Sequence, residues 1–300
     1  MTVDGRIVVV TGAGGGLGRA HALAFAAEGA RVVVNDIGTS REGEGTSTAP
    51  AQQVVEEIRA SGGEAVANAD DVADWDGAAS LIRTAVDAFG GLDVVVNNAG
   101  FLRDRMLANM SVEEWDAVIR VHLRGHFCPM RHAVTFWRDE AKAGRMPDAR
   151  LINTSSGAGL MGSVGQGNYA AAKAGIAALT LNASAEFGRY GVTANAIAPA
   201  ARTRMTEVAM PDMMRAPEGG FDAMAPENVS PLVVWLGSTE STDVTGRVFE
   251  VEGGVISVAD GWQHGPRIDK GERWAVSEVG DAVRKLLEQA PAPAPVYGTS

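Results

Sequence analysis

Tyr169 and Lys173 stand four residues apart in YAAAK, inside SSGAGLMGSVGQGNYAAAKAG (155–175), a stretch otherwise built almost entirely of glycine, alanine and serine. On a helix that spacing puts both side chains on one face. A free phenol titrates near 10, too high for a base at neutral pH. A neighbouring ammonium favours the phenolate, and a fall of about 3 units needs about 4 kcal/mol of differential stabilisation. The pair is therefore predicted to exchange a proton, with Lys173 lowering the pKa of Tyr169. Ser156, thirteen residues upstream, ends an apolar run, where its hydroxyl can hold a substrate oxygen beside the phenol. The alternatives are a surface pair and a turn serine.

A second cluster lies near the start. TGAGGGLG carries Gly12, Gly16 and Gly18 in a G-x-x-x-G-x-G spacing, with Leu17 between the last two. Glycines let a turn approach a pyrophosphate, and a following helix offers N–H groups and its positive dipole end. Asp36 ends VVVND, eighteen residues after Gly18. A carboxylate there accepts both hydroxyls of an adenosine ribose and repels a 2′-phosphate, which predicts NAD over NADP. Arg41 softens that preference; the other reading is that Asp36 only caps a turn. Asp71 and Val72 are placed to flank adenine, and NNAG (97–100), with Asn98, Ala99 and Gly100, brings small residues against a ribose. With such a cofactor in place, its oxidised nicotinamide joins Lys173 as a second positive partner favouring the phenolate, Lys173 also reaches the nicotinamide ribose, and the small residues around YAAAK let the cofactor lie against the helix.

The elements that must position these groups alternate. RIVVV, RVVVND, EAVANADDV, LDVVVNNAG, RLINTSS, VTANAIAP and RVFEVEGG read as strands, mostly as continuous apolar runs buried on both faces. Helix-periodic segments separate them, including SVEEWDAVIRVHLRGHFCPMRHAVTFW, opened by a Ser111–Glu114 capping box. The pattern predicts an α/β Rossmann fold: a doubly wound, parallel, seven-stranded sheet with helices on both faces. One domain over 1–300 is expected, with its core in 5–255. Residues 204–226, rich in methionine and proline, break the rhythm and predict an apolar flap near the carboxyl ends of the strands. The extension 257–300 contains AVSEVGDAVRKLLEQ, whose place relative to the site stays open, and ends in an extended or disordered APAPAPVY.

Net charge −11 and a 21% charged composition describe a soluble acidic surface. Nucleic-acid binding calls for the opposite balance, and an acidic surface repels anionic membranes. No apolar run of spanning length occurs, and the first strand starts too early to leave room for a signal peptide, so a cytoplasmic protein with no membrane insertion is expected. The single cysteine, Cys128, permits no disulfide within the chain and reads as inert core. No metal is expected. The long helices from 111 and 168 carry broad apolar faces, which predicts a homodimer or homotetramer.

Taken together, TGAGGGLG, NNAG, Ser156, YAAAK and NAIAP resemble the short-chain dehydrogenase/reductase family over roughly residues 5–255. The resemblance implies a Ser–Tyr–Lys mechanism with Tyr169 as acid/base, and assigns Thr203 to the nicotinamide carboxamide. Where the family usually has an asparagine that helps order a relay water, this chain has His122 in VIRVHLRG. A backbone carbonyl at a helix irregularity can take over much of that part; His122 itself either relays protons or is packed core.

VVVND with its long glycine-rich loop, NNAGFLRDRM, RVHLRGHF, NAIAPAARTRMT and PLVVWL are similar to a narrower group, the (3R)-hydroxyacyl-CoA dehydrogenase units of type 2 multifunctional enzymes, also called 17β-hydroxysteroid dehydrogenase type 4; His122 fits that group. This implies NAD-dependent oxidation of a 3-hydroxyacyl-CoA, with a steroid-sized acyl group as one possibility, in β-oxidation. Arg103 and Arg105 then either meet CoA phosphates or serve the structure. The rival expectations are a 3-oxoacyl-carrier or small-ketone reductase, a hydroxysteroid dehydrogenase, and a non-catalytic NAD(H) sensor or scaffold.

Overall fold

The computed structural model describes residues 2–38, 45–203, 206–209, 212, 214–259 and 261–299. Arg41 and part of the methionine-rich segment lie outside the described residues.

Eight strands form one sheet: β1 (Ile7–Thr11), β2 (Arg31–Asn35), β3 (Glu64–Asn68), β4 (Val94–Asn97), β5 (Ala149–Thr154), β6 (Val192–Ala200), β7 (Val248–Glu252) and β8 (Val255–Ala259). Their order is β3-β2-β1-β4-β5-β6-β7-β8. β1 to β7 are parallel, and β8 runs antiparallel to β7. The sheet thus has one strand more than the seven expected, and one antiparallel edge. Glu252 pairs with Val255 across a two-residue Gly253–Gly254 turn, the shortest common hairpin connection. The sequence hid this strand because VISVA is not buried: Val255, Ile256 and Val258 are exposed.

Alternation within the parallel strands feeds two cores. Val8, Val10, Val32, Val34 and Val96 face Phe25, Val54, Ile58 and Leu236 on one side. Ile7, Val9, Val33, Val95 and Leu151 face Leu81, Met130 and Trp137 on the other. Fully burying an aliphatic or aromatic side chain of this kind stabilises by roughly 1.5–3 kcal/mol, so both faces contribute strongly. The helices among the described residues are α1 (Gly16–Ala27), α2 (Ala49–Ala60), α3 (Trp75–Phe89), α4 (Val112–Ile119), α5 (Gly125–Lys142), α6 (Gly157–Met161), α7 (Gly167–Phe187), α8 (Thr206–Ala209) and α9 (Ser230–Leu236), with α1, α2 and α9 supplying the first core and α3, α5 and α7 the second. A tenth, α10 (Val276–Gln289), has no buried residue.

The expected long helix from Ser111 exists, with its reciprocal capping box, but it is not uniform. Arg120–Arg124 forms a π-helical turn between α4 and α5. Such a bulge inserts a residue into the helical ladder, is rare, and often marks a functional site. Here it carries His122. The strand order reverses at β1 and β4, so the carboxyl ends of these two strands open a crevice, the usual ligand position in such sheets.

Candidate active site

A groove of about 370 Å³ lies over that crevice. Its lining includes Gly12, Gly16, Leu17, Asp36, Asp71, Val72, Asn98, Ala99, Gly100 and Thr203. All ten were singled out from the sequence. Gly18 lines nothing; a Cβ there would overlap the Gly12 carbonyl oxygen and press on the Asn98 amide. It lets α1 pack against its own turn. Gly12 has φ 62°, a left-handed conformation that favours glycine, and a Cβ on it would stand 2.8 Å from Ala99 Cα.

The groove is held together by hydrogen bonds that sequence reasoning did not reach. Asn98 Nδ2 donates to the carbonyls of Thr11 (3.0 Å) and Gly12 (3.3 Å). Thr11 Oγ1 accepts from the backbone N–H groups of Asn98 (2.9 Å) and Ala99 (3.1 Å). These bonds tie the end of β1 to the end of β4. Asp36 Oδ2 accepts from Gly14 N–H (2.8 Å) and Oδ1 from Gly38 N–H (2.7 Å). The carboxylate therefore does cap turns, and each oxygen keeps acceptor capacity for a further donor. Gly14 was passed over in the sequence, yet a Cβ there would stand 2.7 Å from Pro50 Cβ and 2.9 Å from the Asp36 carboxyl carbon. Asp71 is paired with Arg120 at 2.6 Å, and Arg120 also lines the groove.

Ser156, Tyr169 and Lys173 come together beyond the carboxyl end of β5. Ser156 caps α6, with its Oγ accepting from Ala158 N–H at 3.2 Å. Lys173 Nζ donates to Thr154 O at 2.6 Å and sits 5.5 Å from the centre of the Tyr169 ring. Ser155 Oγ donates to Lys173 O at 2.9 Å, which fixes α7 to the end of β5.

Burial pushes the Tyr169 phenol above its ordinary value; its hydrogen bond with Ser156 pulls down, and Asp104 adds to the rise. Burial also lowers Lys173 to about 7. The protein's own groups therefore do not lower Tyr169 by themselves; the expected fall calls for the positive charge of an oxidised nicotinamide beside that of Lys173.

His122 is buried under Gly100, where any Cβ would collide with the imidazole. Its Nε2 lies 2.7 Å from Phe101 O and 3.1 Å from Phe101 N. Its ring meets Tyr169 edge-on at 5.2 Å. Burial, with Lys173 adding, lowers its pKa to about 3, so the ring is neutral at ordinary pH. Arg105, one of the two arginines considered for CoA phosphates, is ion-paired with Glu114 at 2.9 Å; the Arg103 guanidinium lies 5.7 Å from the Phe101 ring centre. Cys128 is buried.

A doubly wound sheet with a glycine-lined crevice and a Ser, Tyr and Lys set at its carboxyl edge describes a nucleotide-dependent oxidoreductase. Residues 6–214 match the family described as short chain dehydrogenase. The chain belongs to that family, whose cofactor is NAD(P). It is 67% identical to a short chain dehydrogenase from Mycobacterium avium known from its crystal structure, with a TM-score of 0.90 and full coverage of both chains. It is 50% identical over 262 residues to hydroxyacyl-CoA dehydrogenase ChsB1 of Mycobacterium tuberculosis, covering 85% of this chain and 80% of the relative. It is 47% identical over 253 residues to the mouse peroxisomal multifunctional enzyme type 2, covering 84% of this chain but only 32% of that larger protein. This chain is an oxidoreductase of the short-chain dehydrogenase family. No helix among the described residues is long and apolar enough to cross a membrane.

Proposed function

We propose that this protein oxidises the 3-hydroxyl of an acyl-CoA to a ketone with NAD, as a step of β-oxidation, and that bulky acyl groups, including steroid side chains, are among its substrates. The observation that carries the reading is the convergence of Ser156, Tyr169 and Lys173 beside a groove whose ribose end holds a carboxylate, Asp36. Half identity to a hydroxyacyl-CoA dehydrogenase supports the substrate class.

The groove suits a dinucleotide. No side chain caps α1 at Gly15 and no acidic residue stands in its first turn, so the N–H groups there are open to a pyrophosphate. Asp36 would accept the adenosine ribose hydroxyls, which favours NAD. Asp71 and Val72 would flank the adenine, Asn98, Ala99 and Gly100 the ribose, and Thr203, which faces Gly16 across the groove at 3.5 Å from a Cβ position, the carboxamide.

When bound, the oxidised nicotinamide supplies a hydride acceptor and a positive charge beside the phenol. Ser156 holds the substrate hydroxyl. Tyr169 Oη takes the hydroxyl proton as the carbonyl forms, and gives it back in the reverse direction. Lys173, with a pKa of about 7, exchanges protons at neutral pH, and its ammonium form favours the phenolate. His122 acts here by position. Its neutral ring braces Phe101 and the edge of Tyr169 rather than carrying an imidazolium proton.

Exposed Phe127 and Leu181, on α5 and α7, support a homo-oligomer, which light scattering would size. A cytoplasmic location belongs to the same proposal, favoured by a lone, buried Cys128.

The test is NADH formation with both enantiomers of a 3-hydroxyacyl-CoA series, steroid-CoA alcohols and free steroids, with NADP run in parallel. Turnover of acyl-CoAs with NAD is expected. Turnover of free alcohols alone, or with NADP alone, would overturn the substrate and cofactor assignments.

A further inference from the structure

The chain leaves the core after β8 and returns. Residues 261–273 are exposed except Lys270, and α10 buries no side chain. This excursion adds nothing to either core. It nevertheless carries Val296, Tyr297 and Gly298 back to the segment that follows Ser156.

The return is specific. Ser163 and Tyr297 form a parallel bridge. Val164 N–H donates to Tyr297 O at 3.0 Å, and Tyr297 N–H to Gly162 O at 3.3 Å. Three glycines make room for the contact. A Cβ on Gly162 would stand 3.3 Å from Val296, and one on Gly298 3.4 Å from Val164. A Cβ on Gly157 would stand 2.8 Å from the Tyr297 hydroxyl oxygen and 3.0 Å from its ring. The phenol of Tyr297 is therefore stacked on the residue next to Ser156.

The same segment is held from its other side. Arg105 bridges to Gln166, its N–H donating to Gly165 O at 2.7 Å, and Leu107 packs over Gly167. Residues 162–167 are thus clasped between the tail and the chain that follows NNAG. Tyr297 stays half-exposed although its backbone is paired. One flank of its ring rests on Gly157, next to Ser156 in the chain, and half of its surface is open to solvent.

We propose that Tyr297 is a specificity-determining residue: its ring, delivered by the C-terminal tail, forms a wall of the substrate site and sets the size of the group accepted beside the reacting carbon. The inference rests on the proposed function for the identity of that group, an acyl chain. The wall itself follows from the Gly157–Tyr297 contact.

The test compares the full-length protein with Tyr297→Ala, Tyr297→Phe and a chain ending at Ala290. For each, kcat and KM are measured with a short and a bulky 3-hydroxyacyl-CoA, together with the NADH Kd. Tyr297→Ala and the truncation are expected to shift the short-to-bulky ratio of kcat/KM by about tenfold or more, the size of effect that small changes in an apolar pocket produce, with NADH affinity unchanged. Tyr297→Phe, which keeps the ring, should retain the wild-type ratio. An unchanged ratio in Tyr297→Ala, or a Tyr297→Phe protein that behaves like Tyr297→Ala, would overturn the proposal. Should the wild type oxidise other secondary alcohols and no acyl-CoA, the proposed function falls, and the same small-to-large comparison on those alcohols still decides the part played by Tyr297.

Discussion

Two sides of one cleft are built by different means. On the cofactor side, the groups facing the groove are fixed by bonds between strand ends: Asn98 to Thr11 and Gly12, Asp36 to Gly14 and Gly38. On the substrate side, the chain has left the sheet. Residues 162–167 are clasped by the tail and by Arg105 and Leu107, through two isolated bridges and a few glycine contacts. The first side lies on two buried cores; in the second, residues 162–167 are half-buried except for exposed Val164. The difference teaches that the parallel sheet rigidly holds the groove at its strand ends, while outlying segments are free to vary without disturbing the core, which is where the proposed substrate selection would reside.

The strongest way to break this comparison is at the triplet between the two sides. Tyr169→Phe should lower kcat by about 10²–10⁴-fold, the usual contribution of a positioned acid/base, while NADH binding followed by fluorescence stays as in the wild type. Loss of cofactor binding instead would make Tyr169 part of the groove rather than of the chemistry.

Acid should expose the cofactor side next. His21, on the buried face of α1 and bonded to Ser230 at 2.9 Å, and His122 are both lowered by burial to about 3. Between pH 6.5 and 3 the unfolded chain binds protons at these sites that the folded chain refuses. Stability must fall as pH drops through that window and be insensitive to these groups above it. Melting temperature against pH tests this.

A glycine pair sharpens the contrast. Gly18→Val places a side chain onto the Gly12 carbonyl and should cost at least about 1–3 kcal/mol, as overpacking does, with weakened dinucleotide binding. Gly219, in the exposed stretch 215–220, has nothing within 4 Å of a Cβ, and Gly219→Ala should stay within about 0.5 kcal/mol by urea unfolding.

Asp36→Ala should shift the NAD-over-NADP ratio of kcat/KM by about tenfold, or roughly 1.4 kcal/mol, read from parallel saturation curves. The smallest effect belongs to the excursion itself. Trp262 is fully exposed, and Trp262→Ala should change stability by no more than about 0.5 kcal/mol without altering cofactor affinity. A larger loss would mean that the extension supports the fold after all.

The amino-acid sequence was sufficient for everything that depends on local pattern. Apolar runs bounded by glycine turns marked seven of the eight strands and their order along the chain. Local pattern supplied nine residues that line the groove, and i, i+4 spacing put Tyr169 and Lys173 on one face. These follow from backbone geometry over a few residues; Thr203, the tenth, came from the family resemblance. Only the tertiary structure decided the rest, because the rest depends on what distant segments bring. β8 is exposed and so has no apolar signature. Burial raises Tyr169, which spacing alone does not reveal. His122 owes its place under Gly100 to a π turn that no residue type announces. Tyr297 reaches Gly157 through a long excursion that is itself without a core, and a contact of that kind is written in no local periodicity.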